Sequence, residues 1–178
     1  MTDLCALLLA LLLITAAVAI HFQALLALSA WQERSAGASG HFKVLMIIFG
    51  LIAAHAVEAG VFAAGYALGE RWLRLGTFVG AARMSASQFF YFSIEAFTTQ
   101  GVGDVYPIGP LRLVASLEPL AGLILIGWST TFTFLAMGLD WRFARAFSSE
   151  VDAGSREENT LKQRSRAPDL TPSGRETL

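Results

Sequence analysis

Three long runs of apolar residues, separated by shorter polar stretches, divide this chain into segments. The runs cover residues 4–30, 44–68 and 111–139. A membrane-spanning helix needs about 20 predominantly apolar residues, so each run is long enough to cross a bilayer with some tilt. The pattern predicts an all-α membrane protein with three transmembrane helices, the first within residues 1–30 and followed by a cytoplasmic loop at 31–43.

A fourth apolar segment, residues 85–97, is too short to cross a bilayer as a helix and suits a re-entrant element. Ser85 and Ser87 are candidate N-caps for it. The Gly-containing stretch 98–104 follows directly. In hydrocarbon, non-helical backbone is tolerated only inside protein or along a watery path. One use of such backbone is to replace the water shell of an ion with carbonyl oxygens.

Composition agrees with a membrane protein and excludes several other classes. Of 178 residues, 54% are hydrophobic and only 15% are charged, which is too apolar for an ordinary soluble domain. A net charge of −1 gives no sign of nucleic-acid binding. The single cysteine excludes an internal disulfide and a thiolate metal cluster. Residues 148–178 are rich in Ser, Glu, Arg, Thr and Pro, and we expect a disordered cytoplasmic tail of unknown partner.

The segment 91–107, YFSIEAFTTQGVGDVYP, resembles the pore helix and selectivity filter of potassium channels. The resemblance covers about residues 44–137 and is to the bacterial two-transmembrane type, here with an extra N-terminal helix. It implies a pore domain at 44–147, with an outer helix at 44–68, a pore helix at 85–97, a filter at 98–104 and an inner helix at 111–139. It also implies a homotetramer in lipid that conducts potassium ions, with no other cofactor and no enzymatic activity.

The resemblance assigns the ion-binding filter to seven consecutive residues: Thr98, Thr99, Gln100, Gly101, Val102, Gly103 and Asp104. The implied ligands are the Thr99 hydroxyl and the carbonyls of residues 99–102. Successive carbonyls can face one axis only if the backbone alternates between right- and left-handed conformations. Glycine adopts the left-handed one without steric cost, so Gly101 and Gly103 are suitably placed.

Two filter positions depart from the family pattern. Gln100 stands where an apolar residue is usual and will need hydrogen-bond partners if it is buried. Val102 stands where an aromatic ring normally braces the filter. Both changes predict a looser filter and weaker discrimination between potassium and sodium, so a non-selective cation channel is an alternative.

Other residues receive roles through the same resemblance. Tyr91 and Glu95 would support the filter, and Glu95 and Asp104 would lie side by side behind it and share a proton. That pair is either a pH-sensitive gate or a static brace. Gly122 corresponds to the flexible glycine of the inner helix, and helical spacing from it directs four side chains towards a central cavity: Leu123, Ile126, Thr130 and Phe134.

Ionisable residues inside the spans form a separate group. His55 and Glu58 are three residues apart and therefore share a helix face. We expect a structural role, with Glu58 held by His55 or by a hydroxyl of the third span; a metal site is the alternative and would need more ligands. Glu118, beside Pro119, is expected to hydrogen-bond between helices, or alternatively to place a charge in the cavity.

Charge asymmetry predicts the orientation. Arg34 and Lys43 share a side with Arg142 and Arg145, which favours a cytoplasmic C-terminus in a bacterial inner membrane. A non-conducting membrane subunit is a further functional alternative. The string Gly-Val-Gly-Asp at 101–104 also occurs in intramembrane aspartyl proteases, but that chemistry needs a second aspartate, and none lies within a span.

Overall fold

The computed structural model describes residues 1–35 and 37–140. The end of the predicted pore domain and the predicted disordered tail, 148–178, lie outside these residues. By contacts the chain divides into two units, Met1–Met137 and Gly138–Leu178. The account below concerns the first unit.

Three long helices and one short helix form the all-α membrane protein that the apolar pattern predicts. In chain order the elements are α1 (Thr2–Arg34), α2 (Gly40–Arg71), β1 (Thr77–Val79), α3 (Ala86–Phe97), β2 (Tyr106–Ile108) and α4 (Leu111–Asp140). α1, α2 and α4 are each long and apolar enough to cross a membrane. The short helix α3 lies in the sequence where the re-entrant helix was predicted.

The loop between the first two helices is shorter than the predicted 31–43. α1 continues past residue 30 to Arg34, and α2 already begins at Gly40. Ser39 is the N-cap of α2, and its side chain accepts a hydrogen bond from the backbone N–H of Phe42. Apolar length marks only the part of a helix that lies in hydrocarbon. Polar helix formers such as Gln32 and Glu33 extend α1 beyond it.

Two short strands flank the predicted pore segment, in stretches where the apolar pattern predicts no element. β1 pairs antiparallel with β2, with Thr77 opposite Ile108 and Val79 opposite Tyr106. Each strand has three residues, which is too short to show an alternating pattern in sequence. Gly80 makes the pairing possible, because a Cβ there would lie 2.0 Å from the Asp104 carbonyl oxygen. The strand pair ties the segment before α3 to the exit of the filter.

An aromatic core holds α3 against α2 and β1. Phe78 of β1 is at its centre, with ring centroids 5.7 Å from Tyr66, 5.5 Å from Phe89 and 5.0 Å from Phe92. All three contacts are edge-on, the arrangement that aromatic rings prefer. The short helix is therefore fixed by packing on its own subunit.

α1 packs along α2 through small side chains. Ala6, Ala10 and Ala17 of α1 are fully buried. On α2, a Cβ at Gly65 would lie 2.4 Å from a methyl carbon of Leu13. Small residues let helix backbones approach closely in membranes, so the first helix is an integral part of the fold.

Candidate ion pore and intramembrane polar clusters

A capping box begins α3, the predicted pore helix. The Ser85 hydroxyl accepts a hydrogen bond from the Gln88 backbone N–H, and the Gln88 side chain accepts one from the Ser85 backbone N–H. This arrangement confirms Ser85 as the N-cap predicted from sequence. The helix ends at Phe97, immediately before the filter segment. A helix C-terminus carries a partial negative charge, which suits a site that attracts cations.

The filter segment is attached to the last turn of α3. The Gln100 backbone N–H donates to the Glu95 carbonyl at 2.8 Å, and the Thr99 backbone N–H donates to the Ala96 carbonyl at 3.0 Å. The Thr98 hydroxyl donates to the Ile94 carbonyl at 2.7 Å. These hydrogen bonds fix the start of the predicted filter relative to the end of α3.

Left-handed backbone recurs at every second residue of the filter. The φ angles are 61° at Thr99, 55° at Gly101 and 82° at Gly103, whereas Gln100 and Val102 have no positive φ. This is the alternation expected to turn successive carbonyls towards one side. The sequence correctly predicted left-handed backbone at Gly101 and Gly103 but not at Thr99. Left-handed backbone costs a non-glycine residue about 1–2 kcal/mol, so the sequence gives no reason to expect it at a threonine.

A cavity of about 380 Å³ lies between the filter and α3. It is lined by Glu95 and Ala96 on the helix side and by Thr99, Gly101 and Gly103 on the filter side. The filter residues 98–104 are all exposed in the single chain. The single chain therefore leaves the predicted filter uncovered on one side.

The predicted supports of the filter have different surroundings. Glu95 is half-buried and lines the cavity behind the filter. The Asp104 carboxylate accepts a hydrogen bond from the Val105 backbone N–H at 2.8 Å. Tyr91 is 63% exposed in the single chain. The shared proton between Glu95 and Asp104 stays a prediction.

Gly122 of α4 lies directly against the end of the pore helix. A Cβ at this position would lie 2.0 Å from the Phe97 carbonyl oxygen. α4 is continuous from Leu111 to Asp140 through Gly122. Close approach of two helices is thus sufficient reason for a glycine here, and its role as a hinge stays a prediction.

The four residues predicted to line the central cavity follow Gly122 along α4. Leu123 and Phe134 are 56% and 76% exposed in the single chain, and Thr130 is also exposed. Ile126 is half-buried and packs against the core. The Thr130 hydroxyl donates back to the Ile126 carbonyl at 2.9 Å, as expected for hydroxyls inside a helix.

Glu118 forms the centre of a fully buried polar cluster behind the pore helix. Tyr66 of α2 donates a hydrogen bond to its Oε2. Ser93 of α3 has its hydroxyl oxygen 2.5 Å from Glu118 Oε1 and 2.7 Å from the Ala59 carbonyl oxygen. Glu118 is 0% exposed, so the alternative of a charge in the cavity was wrong, and hydrogen bonding between helices is confirmed.

A second buried cluster joins α1, α2 and α4. Glu58 Oε1 lies 2.9 Å from His21 Nδ1, and Glu58 Oε2 lies 2.9 Å from His55 Nδ1. His55 Nε2 lies 3.0 Å from the Ser129 hydroxyl oxygen. The predicted contact between His55 and Glu58 is present, but the hydroxyl of the third span contacts His55 and not Glu58.

His21, Tyr66 and Ser93 are the residues that sequence reasoning missed in these clusters. Each has its charged or polar partner on another helix, between 25 and 52 residues away in sequence. A lone His in an apolar run is a signal of a buried partner. Nothing in the sequence around Tyr66 or Ser93 distinguishes them from ordinary packing residues.

Comparison with known families agrees with the predicted class of protein. Residues 44–137 match the model of a family described as ion channel. This segment includes most of α2, both strands, α3, residues 98–104 and most of α4, so the chain belongs to the ion channel family. No curated protein and no solved structure matches the chain.

Proposed function

We propose that this chain is one subunit of a homotetrameric cation channel that conducts potassium ions through the backbone of residues 98–104. The observation that carries the proposal is the alternation of left-handed backbone at Thr99, Gly101 and Gly103, within a chain of the ion channel family. Carbonyl oxygens along one axis can replace the hydration shell of a cation. Thr98 is the first residue of this segment and Asp104 is the last. The potassium ions that pass through the pore are the ligands of the segment.

Fourfold assembly is supported by what a single chain leaves exposed. The filter residues 98–104 have no cover on one side. In the most apolar stretch of each span, only 28–33% of residues are buried within the chain. The remaining apolar surface contacts lipid or other copies. A single chain supplies one wall of a pore, and a closed ring of identical subunits completes it.

Potassium is the proposed ion because the segment resembles the filters of potassium channels, and the departures at Gln100 and Val102 leave the backbone ligands in place. The specific observation that favours the second candidate, a non-selective cation channel, is the residue at position 102. Where an aromatic brace is usual in the family that the segment resembles, the chain has Val102, which is 59% exposed in the single chain. A filter without that brace can deform, and deformation weakens discrimination by size.

We further propose that the C-terminus is cytoplasmic and that the membrane is a bacterial inner membrane. Arg34 and Lys43 lie at the ends of α1 and α2 on the side of the α1–α2 loop. The opposite side carries arginines beside the pore segment: Arg71, Arg74, Arg83 and Arg112. The predicted orientation therefore depends also on the basic residues after α4. A reporter fused to the C-terminus tests directly whether that terminus is cytoplasmic.

The decisive experiment is the reversal potential of the purified protein in a planar bilayer, with potassium on one side and sodium on the other. We expect a value near the potassium equilibrium limit. Clear current that reverses near zero would replace the proposal with the non-selective channel. No current across a range of pH and voltage, from protein with native secondary structure, would favour a non-conducting subunit. Native mass spectrometry tests the tetramer independently, and any other stoichiometry contradicts it.

A further inference from the structure

Two histidines and one glutamate converge inside the membrane-spanning part of the molecule, where the His55 ring lies 5.7 Å from the ring of Phe97 at the end of α3. One potential ligand atom from each of His21, His55 and Glu58 lies within 4.8 Å of the others. The side chains of His21 and Glu58 are 0% exposed and that of His55 is 20% exposed. We propose that these three residues bind a divalent transition-metal ion of the Zn²⁺ class.

The donor set decides which class of ion fits. Two imidazole nitrogens and one carboxylate oxygen form the combination that Zn²⁺ accepts, with three protein ligands and one position left for water. Ca²⁺ and Mg²⁺ prefer sites made of oxygen atoms only. The absence of a thiolate in the cluster argues against ions that require soft ligands. A zinc-like ion is therefore the best match.

Both histidines can change from hydrogen-bond donors to metal ligands without losing another contact. In the structure each Nδ1 faces an oxygen of Glu58 at 2.9 Å and is placed to donate a proton to it. A metal ligand needs a neutral ring with Nδ1 unprotonated, so the ring proton must sit on Nε2. His21 Nε2 has no hydrogen-bond partner among the described residues, so this shift breaks nothing there.

His55 has a hydrogen-bond partner that allows its ring proton to move from Nδ1 to Nε2. Its Nε2 lies 3.0 Å from the Ser129 hydroxyl oxygen, and a hydroxyl can either donate or accept. When Nδ1 binds the metal, Nε2–H donates to Ser129. An outer partner of this kind, which orients the ring and fixes its tautomer, accompanies most metal-binding histidines.

An opening beside the cluster provides access for an ion and for a water ligand. A cavity of about 470 Å³ is lined by His55, Ser129 and Thr130, together with apolar residues of α2 and α4. His21 is on the inner side of the cluster, where its ring stacks on His55 with centroids 5.3 Å apart. The ion would thus enter from the side of His55.

Binding at this site would connect all three spans. His21 belongs to α1, His55 and Glu58 belong to α2, and Ser129 extends the contact to α4. It would also give the buried Glu58 carboxylate a cationic partner, which a buried charge requires. The ion channel family model does not match the first helix, α1. A bound ion would join α1 to α2 directly and to α4, the predicted inner helix, through the contact between His55 and Ser129.

The test is a titration of the purified full-length protein in detergent with Co²⁺, followed by visible absorption, and then with Zn²⁺ as competitor. Co²⁺ reports its coordination number through the intensity of its absorption bands. We expect saturable binding of one ion per chain with a low coordination number, and displacement by Zn²⁺. The readout is independent of conduction, so it can fail or succeed separately from the proposed channel activity. Absence of saturable binding to the wild-type protein would overturn the proposal by itself.

Substitutions then locate the site. His21→Asn and His55→Asn keep an amide donor for Glu58 but remove a metal ligand, so the fold is retained while binding is lost. Ser129→Ala removes only the outer partner and should weaken binding about 10–100-fold. His41→Asn, at the third histidine of the chain, is the control and should bind as wild type. Binding that survives both His21→Asn and His55→Asn, or that is lost equally in His41→Asn, would contradict the proposed site.

Discussion

Gly122 of α4 and Phe97 of α3 are packed so closely that a single methyl group does not fit between them. A Cβ on Gly122 would lie 2.0 Å from the Phe97 carbonyl oxygen. Phe97 is the last residue of the pore helix, and the filter follows it directly. The distance between the inner helix and the base of the filter is therefore set by a glycine.

Gly122→Ala should destabilise the channel and disturb conduction. The added methyl group must push α4 or the end of α3 aside, and overpacking of this kind costs about 1–3 kcal/mol. Thermal unfolding of the purified protein and single-channel conductance measure the two effects. Gly127→Ala, one and a half turns further along α4, is the matched control because a Cβ there has no neighbour within 4 Å in the chain. An equal loss of stability in both variants would show that contact with Phe97 is not the cause.

Glu118→Gln should be tolerated, whereas Glu118→Ala should not. The Ser93 hydroxyl has one hydrogen but lies within reach of two acceptors, Glu118 Oε1 and the Ala59 carbonyl. All contacts are satisfied only if the group at position 118 donates to Ser93 and accepts from Tyr66. A glutamine amide does both. Alanine leaves the buried Tyr66 hydroxyl without an acceptor, at a cost of about 1–3 kcal/mol, whereas Ser93 keeps its hydrogen bond to the Ala59 carbonyl.

Chemical unfolding of the detergent-solubilised variants measures this difference. If Glu118→Gln were as unstable as Glu118→Ala, the carboxylate charge itself would be required. The assignment of position 118 as donor to Ser93 and acceptor from Tyr66 would then be wrong. Ser116→Ala is a suitable control, because this exposed hydroxyl of α4 bonds only to its own helix at the Arg112 carbonyl.

Gly101 and Gly103 should not tolerate an L-amino acid, although there is room for a side chain. A Cβ on Gly101 has no neighbour within 4 Å in the chain, so we expect the effect of Gly101→Ala to come from its φ of 55°. The left-handed backbone costs an L-residue about 1–2 kcal/mol in each subunit. We expect loss of conductance in both variants, measured in planar bilayers.

D-alanine at position 101, introduced by semisynthesis, is the control for Gly101→Ala. A D-residue prefers the left-handed region and adds the same methyl group. Restored conductance with D-alanine would assign the defect to backbone conformation. A defect of equal size with both enantiomers would assign it instead to contact with neighbouring subunits or ions.

Val102→Tyr should raise the selectivity for potassium over sodium. Val102 is 59% exposed in the single chain, and a ring at position 102 restores the brace that is usual in the family the segment resembles. The permeability ratio from reversal potentials measures the effect. Val79→Tyr, a change to the same residue type at an exposed position of β1 outside the filter, is the control. An unchanged ratio in Val102→Tyr would show that the brace does not limit selectivity here.

The sequence by itself determined the elements that depend on length and local chemistry. Apolar runs of sufficient length placed the three spans, the short segment capped by Ser85 placed the pore helix, and Gly101 and Gly103 marked left-handed backbone. These features follow from the bilayer and from neighbouring residues, so no distant contact is needed to predict them.

Only the tertiary structure decided which distant residues meet. His21 contacts Glu58 across 37 residues, Tyr66 contacts Glu118 across 52, and the strand pair joins segments on either side of α3. Such pairs depend on how helices rotate and approach each other. That geometry is set by small residues such as Gly65 and Gly122, whose close contacts the apolar pattern does not reveal. The positive φ of Thr99 is likewise imposed by its surroundings, since the residue itself disfavours it.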